Sequence, residues 1–537
     1  MIIGFCLRLL AAMKKMKLLP TILLVIVCLL INNSKLKAQI IKSSEIDELV
    51  EKTLKTFDVP GMAVAIIKDG KVIHSKGYGV RSLITKEKVD ENTLFGIASN
   101  SKAYTAAALA MLVDDKKIKW DDKVMDYIPE FQMSDPYITK EFTIRDLLTH
   151  RCGLGLGAGD LMIWPDSNTN TTNDVIHNLR YLKPVSSFRS QYDYDNNMFI
   201  VAGEVLSRVS GMSWDDFIEK KIMQPLNMTK SAASKKRLKD KSNITALHAP
   251  VDGKVQVINI GWSEIANAAG GIYSNLTDLS KWLTMQLNKG KYGNNLSSKL
   301  FSEEVQNDMW NLQTIMPVNR PGTYNTHFSG YGLGWFLSDV KGYKQVTHTG
   351  GLAGTVTQIT LIPELNLGII VLTNQQVGAA FTTITNTIKD SYFGMPKTDR
   401  LKEYADRWTK GNENAKKIVD EVEKVLADQQ KNMTPKIDVN LFTGTYTDKW
   451  FGDGVISIKN GKLWFDSKKS ARLTGELLYY KANTFVVKWT ERGMDADAFL
   501  QFNLDKDGKA VSFKMEAISP LTDFSFDFQE LDFNRAD

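Results

Sequence analysis

The chain has 537 residues, of which 43% are hydrophobic and 24% charged, and its formal net charge is +6. This composition is typical of a globular protein with more than one domain and excludes a disordered chain. Six of the 67 basic residues lie within residues 1–38, which contain no acidic residue, and the other 61 balance the 61 acidic residues. The charge therefore gives no reason to expect a nucleic-acid partner.

Residues 1–38 have the order of a secretory signal. Three lysines within residues 14–17 precede an apolar run at 18–31, and the small residue Ala38 follows a short polar stretch. The run of about 14 residues is shorter than the roughly 20 that span a bilayer. We expect export to the periplasm or the medium after removal of this segment, and no permanent transmembrane anchor.

Loss of that segment would leave Cys152 as the single cysteine, which excludes an intrachain disulfide and argues against a zinc-thiolate site. The histidines are scattered without a metal-binding spacing. The sequence thus predicts no metal and no other cofactor. We interpret Cys152 and His150 as structural residues.

The remaining sequence predicts helices and strands in succession. Helical spacing occurs at 46–57, 99–113, 200–211 and 381–392. Segments typical of strands occur at 62–67, 72–73, 331–336, 345–348, 356–362 and 367–373. The first two strands predict a hairpin, and the last four predict successive antiparallel strands.

The last part of the chain changes character twice. Residues 395–438 are rich in lysine and glutamate, and regular apolar positions over 415–426 predict a helical connector. Beyond it, aromatic and β-branched segments alternate with turn signals at 459–462 and 505–509. This pattern predicts a separate all-β domain.

Ser99 and Lys102 form a Ser-x-x-Lys pair at the predicted start of the helix over 99–113. Residues three apart lie on one helix face, so the lysine amine can draw off the serine proton. This activation requires the lysine pKa to fall from about 10.4 toward 7, which an apolar setting at a helix start favours. Two other Ser-x-x-Lys matches, beginning at Ser34 and Ser338, lack such a setting.

Two further groups of residues suit acyl transfer. Tyr194 and Asn196, a phenol and an amide two positions apart, precede the predicted helix over 200–211. His348-Thr349-Gly350-Gly351 ends a predicted strand in small residues, along which a substrate backbone can pair edge to edge. The sequence therefore offers a second proton-handling group and a strand edge to accompany the nucleophile.

In this order, the three elements resemble those of the serine β-lactamase and penicillin-binding-protein superfamily, most closely its class C β-lactamase-like branch. Ser99-x-x-Lys102 is similar to the first motif of that superfamily, Tyr194-x-Asn196 to the second and His348-Thr349-Gly350 to the third. The resemblance covers about residues 45–393, including segments 147–154 and 268–274. Residues 440–535 resemble, more weakly, a small β-rich domain appended to many members.

The resemblance implies an α+β fold. A β-lactamase/transpeptidase-like domain, in which helices and a helical lobe flank an antiparallel sheet, would precede a small all-β C-terminal domain. The expected organisation is a signal peptide, a serine hydrolase domain, a charged helical linker and a β-rich, barrel-like domain at 1–38, 39–394, 395–438 and 439–537.

The resemblance also implies catalytic roles. Ser99 would attack a carbonyl to form an acyl-enzyme, Lys102 would receive or shuttle its proton, and Tyr194 would be the partner acid or base. Backbone N–H groups of Ser99 and Gly351 would form the oxyanion hole. The residues expected to bind the substrate or its oxyanion are Asn196, His348, Thr349, Gly350 and Gly351.

His348 departs from the lysine typical of class C β-lactamases. Lysine carries a fixed charge suited to a substrate carboxylate, whereas histidine near pH 7 is mostly neutral. The change disfavours efficient β-lactam hydrolysis and favours an amide, peptide or ester, as in a D-amino-acid peptidase, carboxypeptidase or esterase.

Other interpretations stay open. Ser99 alone would be read as a helix cap, and Tyr194 and Asn196 as turn residues. The protein could be a true class C β-lactamase, or a penicillin-binding or sensing protein that has lost turnover. The sequence does not distinguish oligomeric states; a small-molecule or peptide acyl substrate is the partner it predicts.

Overall fold

The structure, a computed structural model, describes residues 40–432 and 438–536. The predicted signal peptide, with Cys6 and Cys28, lies outside the described residues. In the described ranges, no helix has the length and apolar character needed to cross a membrane.

The helices of the described residues are numbered in chain order. They are α1 Ser43–Thr56, α2 Lys102–Asp114, α3 Pro136–Glu141, α4 Ile144–Leu147, α5 Thr172–Asn178, α6 Asn197–Ser210, α7 Trp214–Phe217, α8 Asn267–Gly270, α9 Leu276–Leu287, α10 Glu303–Met309, α11 Gly378–Tyr392 and α12 Arg400–Asn432.

The strands are numbered in the same way. They are β1 Gly61–Lys68, β2 Lys71–Gly79, β3 Phe95–Gly96, β4 Leu247–Val251, β5 Lys254–Ile258, β6 Tyr273–Ser274, β7 Lys291–Tyr292, β8 Ser298–Lys299, β9 Thr314–Met316, β10 Ser329–Tyr331, β11 Phe336–Val340, β12 Tyr343–Leu352, β13 Thr355–Ile362, β14 Leu367–Thr373, β15 Gly444–Asp448, β16 Gly452–Lys459, β17 Lys462–Ser467, β18 Thr474–Lys481, β19 Thr484–Trp489, β20 Ala498–Leu504, β21 Ala510–Ala517 and β22 Phe533–Arg535.

An antiparallel sheet in the order β2-β1-β14-β13-β12-β11-β10-β9 forms the centre of the first domain. Helices cover both of its faces, which explains why β1 reads as a continuous apolar run. Alternate side chains of β1 point to opposite faces of the sheet and enter two separate cores. Met62, Val64 and Ile66 pack with α1 and α11. Ala63, Ala65 and Ile67 belong to the core that contains α2 and α9.

The predicted strand over 331–336 is divided in the structure. β10 ends at Tyr331 and β11 begins at Phe336, with a tight turn between them. Gly334 adopts a φ of +76° there, a conformation that glycine reaches without strain. The result is a hairpin instead of one strand.

The connector predicted over 395–438 contains a single long helix. α12 extends from Arg400 to Asn432, beyond the apolar positions at 415–426. Its first turns pack Tyr404 and Trp408 on the core below the sheet, and Val422 and Leu426 pack on the C-terminal domain. Both ends of the helix thus bury apolar side chains, each against a different domain.

β15 to β22 form a closed barrel. The α+β fold and the all-β C-terminal region expected from the sequence are therefore confirmed. The barrel packs directly on the first domain, where Arg472 of the barrel forms an ion pair of 2.6 Å with Asp166. The Trp164 and Phe526 rings lie 6.0 Å apart at the same contact, and the apolar core continues from one domain into the other.

Candidate active site

Ser99 lies on a 3-10 turn, Ala98–Ser101, that runs directly into α2. The turn is held from both sides: Asn100 Nδ2 donates to Thr357 Oγ1 on β13 at 2.8 Å, and Ser101 Oγ accepts from the Ile272 N–H at 3.1 Å. These buried contacts fix the backbone around a partly exposed Ser99. The serine is therefore accessible while its surroundings are rigid.

The side-chain nitrogen of Lys102 faces Ser99. Its Nζ lies 3.1 Å from Ser99 Oγ, 2.6 Å from Asn196 Oδ1 and 2.9 Å from the Ala269 carbonyl oxygen. The lysine side chain is fully buried, and this burial lowers the pKa of Lys102 to about 7, against the opposing pull of Asp160 and Asp195. A large fraction of the amine is therefore neutral near pH 7 and able to accept a proton.

The Ser-x-x-Lys match at Ser338 has a different environment. Ser338 lies in β11, and Lys341 follows that strand in an exposed turn with a φ of +53°. The same spacing on a strand does not bring the two side chains together on one helix face. The Ser-x-x-Lys spacing therefore brings the two side chains together at Ser99, where the chain is helical, and not at Ser338.

Tyr194 and Asn196 join the serine and lysine from the loop before α6. The Tyr194 ring lies 4.7 Å from Lys102 Nζ. Burial holds the pKa of the Tyr194 phenol well above its usual value and outweighs the opposing effect of the neighbouring Ser99 hydroxyl. The phenol is thus protonated at neutral pH and suited to donate a proton or hydrogen bond.

His150, interpreted from the sequence as structural, lies beside Tyr194. Its ring is 4.1 Å from that of Tyr194, and its Nδ1 accepts from the Asp195 backbone N–H at 3.0 Å. Burial holds the pKa of His150 well below its usual value, so the ring is neutral. The His150 ring therefore packs against the Tyr194 ring as a neutral group.

Two buried carboxyl groups, which the sequence analysis did not single out, complete the site. Asp160 Oδ2 accepts from Asn196 Nδ2 at 2.7 Å, and burial raises the pKa of Asp160 to about 8. Asp195 accepts from the Met198 N–H at 3.2 Å in the first turn of α6, and burial raises its pKa to about 6. Asp195 follows Tyr194 directly, whereas nothing local in the sequence marks Asp160.

Cys152 packs against this cluster. Its thiol donates to Asp195 Oδ2 at 3.7 Å, and burial raises the pKa of the thiol well above its usual value. A protonated, buried thiol is a poor nucleophile. The geometry therefore favours Ser99 as the attacking group.

The strand that carries His348 passes beside the serine turn. β11 pairs with β12 only as far as Thr347, so in the described residues no strand covers this edge of His348–Leu352. Gly350 packs so closely on Ile97 and Ala98 that a side-chain carbon there would collide with the Ile97 carbonyl oxygen. The absence of a side chain at Gly350 therefore allows the strand to approach the turn.

The His348 side chain points into the protein. Its Nε2 lies 2.8 Å from the Tyr331 hydroxyl, and its Nδ1 lies 2.6 Å from the Thr349 carbonyl oxygen. Since a carbonyl only accepts, Nδ1 carries the hydrogen and Nε2 accepts from the phenol. Burial lowers the pKa of His348 to about 3, so the ring is neutral and offers no free polar atom to a ligand.

The structure thus brings together Ser99, Lys102, Tyr194 and Asn196, with the backbone of Thr349, Gly350 and Gly351 beside them. His348 is nearby but has both ring nitrogens occupied. The described residues contain no group of three or more His, Cys, Asp or Glu side chains able to hold a metal ion. The cluster can supply a nucleophile, a neutral amine and a phenol, the components of acyl transfer.

Comparison with known proteins agrees with this geometry. The family model described as Beta-lactamase matches residues 46–391, and a model described as a domain of unknown function (DUF3471) matches residues 428–535. The Unguisins hydrolase ungD' of Aspergillus campestris is 27% identical over 486 residues, covering 86% of this chain and 87% of that protein. Protein flp of Staphylococcus aureus is 26% identical over 333 residues, 62% of each chain.

Two solved structures share the fold. The octameric penicillin-binding protein homologue from Pyrococcus abyssi superimposes with a TM-score of 0.58 at 20% identity, covering 92% of this chain and all of that one. A class C β-lactamase covers 65% of this chain and 97% of its own, with a TM-score of 0.54 at 20% identity. The family match spans more than half of the chain. This protein therefore belongs to the β-lactamase family and is a serine hydrolase with a class C-like fold.

Proposed function

We propose that this protein is an exported hydrolase that forms an acyl-enzyme at Ser99 on an amide, peptide or ester substrate. The observation that carries the proposal is the 3.1 Å distance between Lys102 Nζ and Ser99 Oγ in a buried setting. In the first step, Ser99 Oγ attacks the substrate carbonyl and its proton passes to the neutral Lys102 amine.

Tyr194 is the group best suited to complete proton transfer. Its phenol stays protonated at neutral pH, so it can donate to the leaving group as the tetrahedral intermediate collapses. Lys102 then passes the proton taken from Ser99 to the Tyr194 phenolate, so that both groups return to their starting protonation states. In the second half of the reaction, water attacks the acyl-enzyme. Tyr194 and Lys102 then take up the proton of the water and return a proton to the Ser99 oxygen as the acyl group leaves.

Backbone donors would stabilise the oxyanion. The N–H groups of Ser99 and Gly351 are the candidates, because β12 and the serine turn approach each other at Gly350. Rigid donors of this kind stabilise charge that develops only in the transition state. The uncovered edge of His348–Leu352 supplies further N–H and C=O groups for an extended substrate.

The neutral His348 ring supports a substrate that has no carboxylate to be bound at this position. The ring is neutral and its nitrogens are bound to Tyr331 and Thr349. Instead of a cation, an apolar surface borders the site: Phe524 stands 5.7 Å from the Tyr194 ring and is 40% exposed. A neutral or apolar acyl group suits this apolar surface better than a penicillin carboxylate does.

The relative from Aspergillus campestris supports turnover over mere binding. It is named as a hydrolase, of unguisins, and it aligns with both domains of this chain. We propose hydrolysis for this chain as well.

Export is proposed from the composition of residues 1–38 alone. Expression in a bacterial host followed by fractionation and intact-mass analysis tests it. Recovery outside the cytoplasm of a chain that begins after Ala38 is expected. A cytoplasmic chain that retains this segment would contradict export without affecting the catalytic proposal.

The nucleophile is tested with a fluorophosphonate probe on the purified protein. Wild type should be labelled and Ser99→Ala should not, whereas Ser338→Ala, which removes the serine of the other described Ser-x-x-Lys match, should label like wild type. Equal labelling of wild type and Ser99→Ala, or no labelling of either, would show the assignment to be wrong.

The substrate class is tested by comparing turnover of a chromogenic cephalosporin, a short-chain aryl ester and D-alanyl peptides, with Ser99→Ala as the control. We expect ester or peptide turnover to exceed cephalosporin turnover. Rapid cephalosporin hydrolysis would contradict the inference from His348. A stable penicillin adduct without product release would identify a binding protein.

A further inference from the structure

A segment of the barrel reaches the catalytic cluster. It connects β21 and β22 and includes residues 521–527, here called the barrel loop. Phe524 lies at its tip, with its ring at 79° to that of Tyr194. Gly157 packs so closely on the Phe524 backbone that a side-chain carbon there would lie 2.7 Å from the Phe524 carbonyl oxygen. The barrel loop is therefore in intimate contact with the loop that carries Asp160.

The barrel loop holds the Asp160 side chain and the backbone of its two neighbours by hydrogen bonds. Ser525 Oγ donates to Asp160 Oδ2 at 2.8 Å. Asp527, which is itself fully buried, accepts from the backbone N–H groups of Gly159 at 2.6 Å and Leu161 at 3.0 Å. The residues on either side of Asp160 and its carboxyl group are thus all tied to the barrel.

Asp160 in turn orients Asn196. Asp160 Oδ2 accepts from the Asn196 amide nitrogen, so the amide oxygen must point the other way, toward Lys102. Lys102 Nζ is 2.6 Å from that oxygen. Without an acceptor at Asp160, the amide could rotate and present its NH2 group to the lysine instead. A line of hydrogen bonds therefore runs from Ser525 through Asp160 and Asn196 to the amine beside Ser99.

We propose that Asp160 is a positioning residue for the Lys102 amine and acts through Asn196. The barrel holds Asp160 in place through Ser525 and Asp527. The barrel then completes the active site instead of being an independent binding module. This inference rests on the proposed function, because it assigns the amine the role of base for Ser99.

The burial of Asp160 agrees with this role. Its Oδ1 has no hydrogen-bond partner within the described residues, and burial raises its pKa to about 8. A neutral carboxyl group accepts from Asn196 and Ser525 without placing a full negative charge beside the lysine. Asparagine has the same shape and keeps an acceptor oxygen at this position.

The full-length protein provides the test, with Asp160→Ala, Asp160→Asn, Ser525→Ala and Arg472→Met compared with wild type. The last variant removes the ion pair with Asp166, a contact between the same two domains outside the hydrogen-bond line. Three quantities are measured: the rate of fluorophosphonate labelling at Ser99, and kcat and KM for the preferred substrate of the panel. Thermal unfolding identifies variants that do not fold.

We expect Asp160→Ala to lower the labelling rate and kcat roughly 10- to 100-fold with a smaller change in KM, as a displaced catalytic group does. Asp160→Asn should recover most of that loss. Ser525→Ala should lower the labelling rate about threefold to tenfold, because one of the two donors to Asp160 Oδ2 remains. Arg472→Met should label like wild type.

Failure of the inference is distinguishable from failure of the proposed function. If wild type is labelled and Ser99→Ala is not, the nucleophile stands, and equal rates for wild type, Asp160→Ala and Ser525→Ala would then overturn the positioning role alone. A loss in Arg472→Met as large as that in Ser525→Ala would also overturn it, since general docking would explain both. If Asp160→Ala does not fold, the Ser525→Ala rate decides.

Discussion

The side-chain nitrogen of Lys102 lies 3.1 Å from the hydroxyl oxygen of Ser99, inside a protein region where the lysine has no contact with solvent. Burial is what makes this pair chemically useful, because it lowers the pKa of Lys102 to about 7 and thereby frees the amine to accept a proton. The two residues are separated by three positions along the chain, but the burial depends on α6, α8 and the loop before α6, which enclose the amine.

Lys102→Met should lower kcat/KM roughly 10²- to 10⁴-fold, the usual contribution of a general base. A matched control exists in Lys389, a second buried lysine, whose pKa burial also lowers to about 7 and whose Nζ donates to Gln345 at 2.7 Å. Lys389→Met should leave kcat/KM near the wild-type value. Ester hydrolysis by the two variants checks this; equal losses would mean that the effect is one of stability.

The activity should fall in acid. Lys102 acts as a base only when neutral, so kcat/KM should decrease about tenfold per pH unit below its pKa of about 7. Ionisation of Asp160, whose pKa of about 8 lies higher, adds negative charge beside the amine and favours its protonated form. Because an amine with a pKa of about 7 is already mostly neutral at pH 8, and ionised Asp160 opposes further deprotonation, the activity should stop rising above pH 8.

A kcat/KM profile from pH 5 to 9 on the preferred substrate measures this, with unfolding followed at each pH to separate loss of activity from loss of structure. A profile that is flat through pH 7 would contradict Lys102 as the base.

His348→Leu should lower the free energy of unfolding by about 1–3 kcal/mol, because the buried Tyr331 hydroxyl loses its acceptor. Tyr331→Phe removes the other partner of the same hydrogen bond. Urea unfolding of both single variants and the double variant measures the coupling. We expect the double variant to lose less than the sum of the singles; strictly additive losses would indicate that the hydrogen bond contributes nothing.

Gly350→Ala should reduce both stability and activity. The added methyl group would meet Thr357 Oγ1 at 2.6 Å and Ala98 at 2.9 Å, so β12 must move away from the serine turn. Forcing atoms into a packed region costs about 1–3 kcal/mol. The labelling rate at Ser99 should fall with it.

Gly351→Ala is the matched control for this prediction. A side-chain carbon at Gly351 would have its nearest neighbour at 4.0 Å, and the backbone N–H group is retained. Stability close to that of wild type is expected. If Gly350→Ala is as stable and as reactive as Gly351→Ala, the close approach of strand and turn is not needed.

Local patterns were sufficient for much of the fold. β1 and β2 were predictable from an apolar run, a turn at Asp69-Gly70 and a second short strand. The hairpin at Tyr331 was not, because the apolar residues of β10 and β11 are adjacent in sequence and only the conformation of Gly334 separates them. The helical character of the connector was also predictable, but its packing on both domains was not, since that depends on which distant side chains meet Tyr404, Trp408, Val422 and Leu426.

The site divides in the same way. Ser99 and Lys102 were recognisable because helical geometry relates residues three apart, and Tyr194 and Asn196 because they share one short loop. Asp160 and Ser525 were not recognisable. They are 365 positions apart, and neither lies in a segment whose local sequence indicates chemistry.

The sequence by itself determined the nucleophile candidate, the order of the three motifs and the presence of a histidine where a lysine is usual in class C enzymes. Tertiary structure alone decided that His348 is bound to Tyr331 and neutral, and that a barrel loop holds Asp160 behind the catalytic lysine. The physical reason is that spacing along a helix or loop is a local property. Burial, and with it the pKa of Lys102 and the partners of Asp160, depends on which distant segments the folded chain brings around these side chains.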